Sequence, residues 1–143
     1  FVLISYADRV EELTKALVRI GMQNFYGYVS DLDKWADQCH ELDTVNQISV
    51  NELKEMISKN GDNIEIIDVR SYIDYREDKI PNSKNIFAGY ITDKLENISE
   101  EKTKVVYCHS GNRSSIAASA LMNSGIKNVI NLTGGFSAWE KEL

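Results

Sequence analysis

Short apolar runs and segments with helical spacing alternate along the chain. The run at residues 64–69 is rich in β-branched side chains and predicts a buried strand of a parallel sheet, and the apolar runs at 1–4 and 105–107 predict two further strands. Apolar side chains recur every three or four positions at residues 10–20 and 117–121, which gives each segment one apolar face and predicts a helix. Because strands alternate with helices, we expect an α/β fold, a parallel sheet with helices on both faces.

The middle of the chain continues this alternation. Residues 44–48 predict a polar linker that leads into a short strand, and Ser49 or Asn51 is placed to cap the helix that follows. Beyond the strand at 64–69, the pattern predicts a short helix at 72–77, a turn at 80–83, a short strand at 84–87 and a small helix around Leu95.

The two ends of the chain repeat each other at an offset of 104 positions. Seven identities align without a gap, and each copy predicts a strand, a turn, a helix, a second strand and a helix that carries a Trp. The identical pairs are Val2 and Val106, Arg9 and Arg113, Ala16 and Ala120, Leu17 and Leu121, Gly21 and Gly125, Asn24 and Asn128, and Trp35 and Trp139. Asp8 and Asn112 occupy equivalent positions that predict helix N-caps, and the paired glycines predict helix ends.

The copies differ where chemistry is expected. The second copy has Cys108 at the end of its strand, whereas the first has Ile4. In the turn that follows, Gly111 of the second copy is replaced by Ala7. If this turn is reactive, only the second copy can be active, and the first is a structural remnant.

Composition excludes several classes of protein. The 143 residues are 43% hydrophobic and 27% charged, with no apolar run near the roughly 20 residues that cross a bilayer and no secretory leader. The net charge of −6 and the lack of a basic stripe exclude nucleic acid as a partner, and an anionic substrate needs a local site. Cys39 and Cys108 are too few for a disulfide scaffold, so we expect a reducing, cytoplasmic setting. Since Phe1 opens the chain inside a predicted strand, we also expect a fragment of a longer polypeptide.

Residues 108–114 (Cys-His-Ser-Gly-Asn-Arg-Ser) run from a predicted strand into a predicted helix. Backbone N–H groups and the positive end of the helix stabilise a thiolate there and lower the pKa of Cys108 from its ordinary value of about 8.5. Gly111 lets the backbone approach the sulfur, while Arg113 either offers a fixed cation or donates to the loop carbonyls. The alternative is a structural cysteine before a surface turn. The combination of Cys, Gly, Arg and a helix cap favours a reactive thiol.

Four segments carry a family resemblance. They are Ile67-Asp68-Val69-Arg70, the turn at residues 75–83, the Cys-x-x-Gly-x-Arg-Ser loop at 108–114, and the Gly-Gly-x-x-x-Trp end at 134–139. On these segments the chain resembles a rhodanese domain of the sulfurtransferase superfamily. The turn departs from the family pattern, with Asp78-Lys79 for Gly-His and Asn82-Ser83 for Gly-Ala. We therefore predict a catalytic rhodanese domain at residues 45–143, preceded at 1–44 by the C-terminal half of an inactive (degenerate) rhodanese repeat and a linker.

The resemblance implies a sulfurtransferase in which Cys108 carries a sulfane sulfur as a persulfide. The donor would be a thiol persulfide or thiosulfate, and the acceptor a nucleophile such as sulfite. We expect Asp68 to anchor loops near the site by hydrogen bonds, and a role in proton transfer is the alternative. The implied substrate-binding residues are His109, Ser110, Gly111, Asn112, Arg113, Ser114 and Arg70, the two arginines holding the anionic partner.

The order of an inactive and then an active copy resembles the end of persulfide dioxygenase–rhodanese fusions whose dioxygenase has a metallo-β-lactamase fold. That resemblance implies an upstream dioxygenase domain in the same chain, which would hold iron and act in sulfide detoxification. For the residues in hand we expect no cofactor and no metal. We expect a small-molecule sulfur donor and acceptor, no membrane partner, and a second copy of the chain as an oligomeric partner.

Two other functions stay open at this point. Cysteine phosphatases and arsenate reductases of the rhodanese-like kind have five residues between Cys and Arg, whereas four separate Cys108 from Arg113, which suits a single sulfur atom. A non-catalytic rhodanese-like interaction or regulatory module is the second alternative, and the presence of Cys108 argues against it. His109 is either a cation beside the thiolate or a solvated loop residue, and Cys39 is expected to be an incidental thiol.

Overall fold

The computed structural model describes residues 1–38 and 43–142. The chain divides into two compact units, Phe1–Asp43 and Thr44–Leu143. The first unit contains β1 (Val2–Ile4), α1 (Val10–Arg19), β2 (Gly27–Val29) and α2 (Leu32–Asp37). The second contains β3 (Asn46–Ile48), α3 (Val50–Asn60), β4 (Ile64–Asp68), α4 (Tyr72–Glu77), β5 (Lys84–Asn85), β6 (Thr103–Tyr107), α5 (Asn112–Asn123), β7 (Val129–Leu132) and α6 (Gly135–Lys141). Among residues 1–38 and 43–142, every helix is too short or too polar to span a lipid bilayer.

The second unit is built on a five-stranded parallel sheet in the order β3-β7-β6-β4-β5. Successive residues of its strands face opposite sides, so the sheet has an apolar cluster on each face. One cluster joins Ile67 and Val106 to α5 and to the 3-10 segment Ala88–Asn97. The other packs Val105 against α3 and α6. The predicted α/β fold with helices on both faces is confirmed.

The structure confirms one of the N-caps predicted from the sequence and contradicts two others. Ser49 caps α3 as predicted, in a capping box with Glu52. The caps predicted at Asp8 and Asn112 are wrong, because α1 and α5 have Arg9 and Gly111 at their N-caps with no side-chain cap. At Gly111 the left-handed backbone (φ 96°) turns the chain into the helix without help from a side chain.

The two ends of the chain share strand register and helix ending. Val2 pairs with Gly27 across β1 and β2, and at the offset of 104 Val106 pairs with Asn131 across β6 and β7. After each helix, the backbone hydrogen bond that closes the turn recurs, from Met22 N to Leu17 O (3.1 Å) and from Ile126 N to Leu121 O (3.0 Å). Gly21 and Gly125 both adopt positive φ there. That residues 1–44 derive from a rhodanese half-repeat stays a prediction.

Candidate active site

The candidate site lies where the parallel strands of the second unit end. Cys108 follows directly on β6, and three residues later the chain enters α5 through Gly111. The residues after β4 and β7 reach the same edge of the sheet, because parallel strands share their direction. This edge therefore brings together the loop after β6, the Asp68–Arg70 segment and the glycine pair that opens α6.

The sulfur of Cys108 is surrounded by hydrogen-bond donors. The N–H of Gly111 donates to Sγ at 3.2 Å and the hydroxyl of Ser114 lies within donating distance at 3.4 Å. Only 1% of Cys108 is exposed, and this burial alone raises the pKa of the thiol. Hydrogen bonds from the side chain and backbone of Ser114 and from the amides of Ser110 and Gly111 lower the pKa further than burial raises it. The site therefore favours a thiolate, held beneath the loop by donors.

The start of α6 supports the base of this loop. Phe136 N donates to the carbonyl of Cys108 at 2.8 Å, and Ser137 N donates to the carbonyl of His109 at 3.0 Å. Gly135 makes this approach possible, since a Cβ at that position would lie 2.3 Å from the carbonyl oxygen of Cys108. Sequence reasoning did not include Gly135 among the site residues, although adjacent glycines before a helix were the available signal.

Asn131 of β7 is a second residue that sequence reasoning missed. Its side-chain amide donates to the carbonyl of Gly111 at 3.2 Å and to Oε1 of Gln47 at 2.7 Å. Asn131 is buried in a strand whose other core positions are apolar. A buried amide in an apolar strand was the signal for a polar contact beneath the loop.

Arg70 is buried and held by other groups. Its guanidinium donates to both carboxylate oxygens of Asp68 (2.8–3.1 Å) and to the carbonyl of Asp78 (2.6 Å), and it lies 4.1 Å from the ring centre of Phe136. Burial lowers the pKa of Arg70, but the bonds and charge of Asp68 raise it by more. The structure thus uses Nε and Nη2 of Arg70, with Asp68, to fasten β4 to the following turn. That Arg70 also binds an anionic substrate stays a prediction.

The other loop side chains point outward. His109, Ser110, Asn112 and Arg113 are exposed. Arg113 makes no hydrogen bond to any described residue, so its alternative role of tying the loop carbonyls is not found, and its cation remains at the loop surface. The imidazole of His109 approaches the hydroxyl of Ser137, with 3.0 Å between Nε2 and Oγ.

The described part of the chain does not bring together three or more His, Cys, Asp or Glu side chains that could hold a metal ion. The iron implied by the fusion resemblance therefore has no site among these residues, and no step is assigned to it. Cys39 lies outside the described residues.

Comparisons with known proteins agree with this geometry. Residues 49–142 match the rhodanese-like domain family. The chain is 37% identical to the putative sulfurtransferase YtwF of Bacillus subtilis over 68% of its own length and 93% of that protein, and 35% identical to the thiosulfate sulfurtransferase GlpE of Coxiella burnetii over 66% and 86%. A solved structure of a rhodanese-related protein from Thermoplasma volcanium superposes with a TM-score of 0.61 at 29% identity, covering 68% of this chain and 92% of that one. Relatives with these names support a sulfurtransferase function in general, and the chain belongs to the rhodanese-like domain family.

Proposed function

We propose that the chain transfers a sulfane sulfur from a small donor to a nucleophilic acceptor through a persulfide on Cys108. The observation that carries this proposal is the convergence of the Gly111 amide and the Ser114 hydroxyl on one sulfur atom. Donors that face a single atom stabilise the anionic sulfur both before and after it takes up a second sulfur.

The transfer takes two displacements. The Cys108 thiolate attacks the outer sulfur of thiosulfate, a new S–S bond forms, the S–S bond of thiosulfate breaks, and sulfite leaves with the electron pair. An acceptor nucleophile then attacks the terminal sulfur of the persulfide and restores the thiolate. With a thiol persulfide as donor the leaving group is the corresponding thiolate, and sulfite as acceptor yields thiosulfate.

The exposed loop side chains are placed to receive charged substrates. We propose that Arg113 and His109 bind the anionic donor or acceptor at the loop surface, because the net charge of −6 gives no overall attraction for an anion. The backbone of Ser110, Gly111, Asn112 and Ser114 would hold the transferred sulfur. Asp68 and Arg70 act by keeping the neighbouring turn in place.

We also propose the wider setting that the fusion resemblance implies. In it, an upstream iron dioxygenase domain of the same chain supplies sulfite in the cytoplasm, and the present domain joins that sulfite to a sulfane sulfur. The second-copy partner expected for the half-repeat is part of the same proposal. The step at Cys108 itself requires no cofactor.

The test is intact mass spectrometry of the chain after incubation with thiosulfate or with a low-molecular-weight thiol persulfide. We expect one added sulfur on Cys108, its removal by sulfite, and no addition in Cys108→Ser. Cys39→Ser is the matched control, because it removes the other cysteine and should keep the added sulfur. No added sulfur on wild type would show a non-catalytic module instead, and equal addition to wild type and Cys108→Ser would assign the sulfur to Cys39.

A further inference from the structure

Asn131 is an unusual choice for its position in the sheet. It is 3% exposed, and its Oδ1 has no hydrogen-bond partner among the described residues. A buried acceptor without a partner destabilises the fold, and an apolar side chain of the same branched shape, such as leucine, has no such acceptor. The presence of asparagine here therefore points to what its N–H groups do.

The target of Asn131, the carbonyl of Gly111, has more donors than a carbonyl can use. Ser115 N donates to it at 3.1 Å, Asn131 Nδ2 at 3.2 Å, and the Ser114 hydroxyl lies 3.0 Å away. A carbonyl oxygen has two lone pairs, and the Ser114 hydroxyl has one proton. If Ser115 and Asn131 fill the lone pairs, that proton is available to the sulfur of Cys108, 3.4 Å from Oγ.

We propose that Asn131 is a positioning residue for sulfur transfer: by occupying the carbonyl of Gly111, it directs the hydroxyl proton of Ser114 to the sulfur of Cys108. Gln47 holds the amide of Asn131 in place from the neighbouring strand. These hydrogen bonds thus connect β3 and β7 to the sulfur of Cys108.

The first copy of the repeat supports this set of contacts as one unit. At the offset of 104, the counterparts of the four members are all different residues. Three of them lack the side-chain groups that make these bonds, and Ala7 keeps the backbone groups but has a side chain that disfavours the positive φ of Gly111. Ile4 replaces Cys108, Ala7 replaces Gly111, Val10 replaces Ser114 and Gly27 replaces Asn131. The copy without the thiol thus also lacks the hydroxyl and the amide.

The test measures the thiol directly, in a Cys39→Ser background where Cys108 is the remaining cysteine. We follow the rate of alkylation by iodoacetamide from pH 5 to 10 for wild type and Asn131→Leu. The Leu variant should be alkylated about fivefold more slowly at neutral pH, with the midpoint of its pH curve moved upward. A residue with a merely structural role would lower stability and leave the midpoint in place.

A double-mutant cycle asks whether Asn131 acts through Ser114. In a Ser114→Ala background, Asn131→Leu should change the alkylation rate less than about twofold. An equal effect in both backgrounds, or an unmoved midpoint in Asn131→Leu, overturns the proposal. Asn131→Val removes the donor without introducing a charge, and it takes the place of the Leu variant if that variant does not fold. Asn123→Leu, at an exposed position, controls for the added leucine.

The role of Asn131 rests on the proposed function only where it concerns the rate of sulfur transfer. Alkylation does not require a sulfur donor, so the two ideas fail separately. A chain whose alkylation follows the prediction but that never takes up sulfur contradicts the proposed function alone. A chain that takes up sulfur while Asn131→Leu behaves as wild type contradicts the role of Asn131 alone.

Discussion

The two ends of the chain have the same local structure but differ in solvent exposure. In the first unit β1 pairs with β2, and in the second β6 pairs with β7 in the equivalent register. Yet Val2 is 56% exposed, whereas its counterpart Val106 is fully buried. None of the described residues of the first unit is buried, while β6 and β7 are flanked by β4 and β3. Sequence pattern therefore sets the elements and their pairing, and burial comes from the neighbours that a strand acquires.

The chemistry of the two ends differs for a second reason. The site in the second unit is formed largely by backbone groups, and glycines allow these groups to approach Cys108 closely. Gly111 and Gly135 are the clearest cases, and the first copy has Ala7 and Asp31 in their places. The two ends thus have the same order of strands and helices but differ at the loop residues, and each difference can be tested by moving a residue from one end to the other.

The largest effect is expected from Gly135→Asp, which introduces the residue of the first copy. Its Cβ would collide with the carbonyl oxygen of Cys108, at a backbone φ of +58° that disfavours side chains. We expect a loss of at least about 3 kcal/mol in the free energy of unfolding, measured with urea, and no persulfide formation. Gly61→Asp is the control, since that glycine has open space and ordinary φ. If Gly135→Asp were as stable as wild type, the close contact between α6 and the carbonyl of Cys108 would not restrict the residue at position 135.

Gly111→Ala should have a smaller effect on stability but a clear one on reactivity. The positive φ of 96° and a Cβ 3.3 Å from the amide nitrogen of Gly134 strain the turn by about 1–2 kcal/mol. The shifted amide should slow sulfur uptake from thiosulfate about tenfold. Gly125→Ala has a similar φ with nothing within 4 Å, so it should lose similar stability and keep full uptake. Equal sulfur uptake by both variants would show that the backbone conformation of Gly111 is not needed for the reaction of Cys108.

Much of the fold and of the central site could be predicted from the sequence. The periodicity predicted a helix at residues 72–77, and the structure has α4 at Tyr72–Glu77. The strand-to-helix turn after Cys108 was predicted because Cys, Gly and a helix start follow one another within a few positions. These features depend on residues close together in the chain, and local spacing contains that information.

The contacts that sequence reasoning missed join distant parts of the chain. Asn131 reaches Gly111 across twenty positions, and α6 reaches the carbonyl of Cys108 across twenty-eight. Arg70 was predicted to hold an anion, and only the folded structure shows its side chain closed against Asp68. Which of several polar groups an arginine meets depends on tertiary packing, and no local pattern predicts it.

The smallest effect is expected from Ile4→Cys, which places a thiol at the position that aligns with Cys108. Ile4 is 69% exposed, so the change should alter the free energy of unfolding by less than about 0.5 kcal/mol. With Ala7 in place of the glycine, the new thiol should titrate near the ordinary value of about 8.5. The pKa of Cys108 is lowered, so its alkylation should persist below that pH and fall only as the pH passes through its own lower pKa. Alkylation read by peptide mass spectrometry, from pH 5 to 10, compares both thiols in one sample. If the new thiol matched Cys108 in its pH curve and in sulfur uptake, the strand end alone would activate a cysteine, and the loop glycines would not explain the difference between the copies.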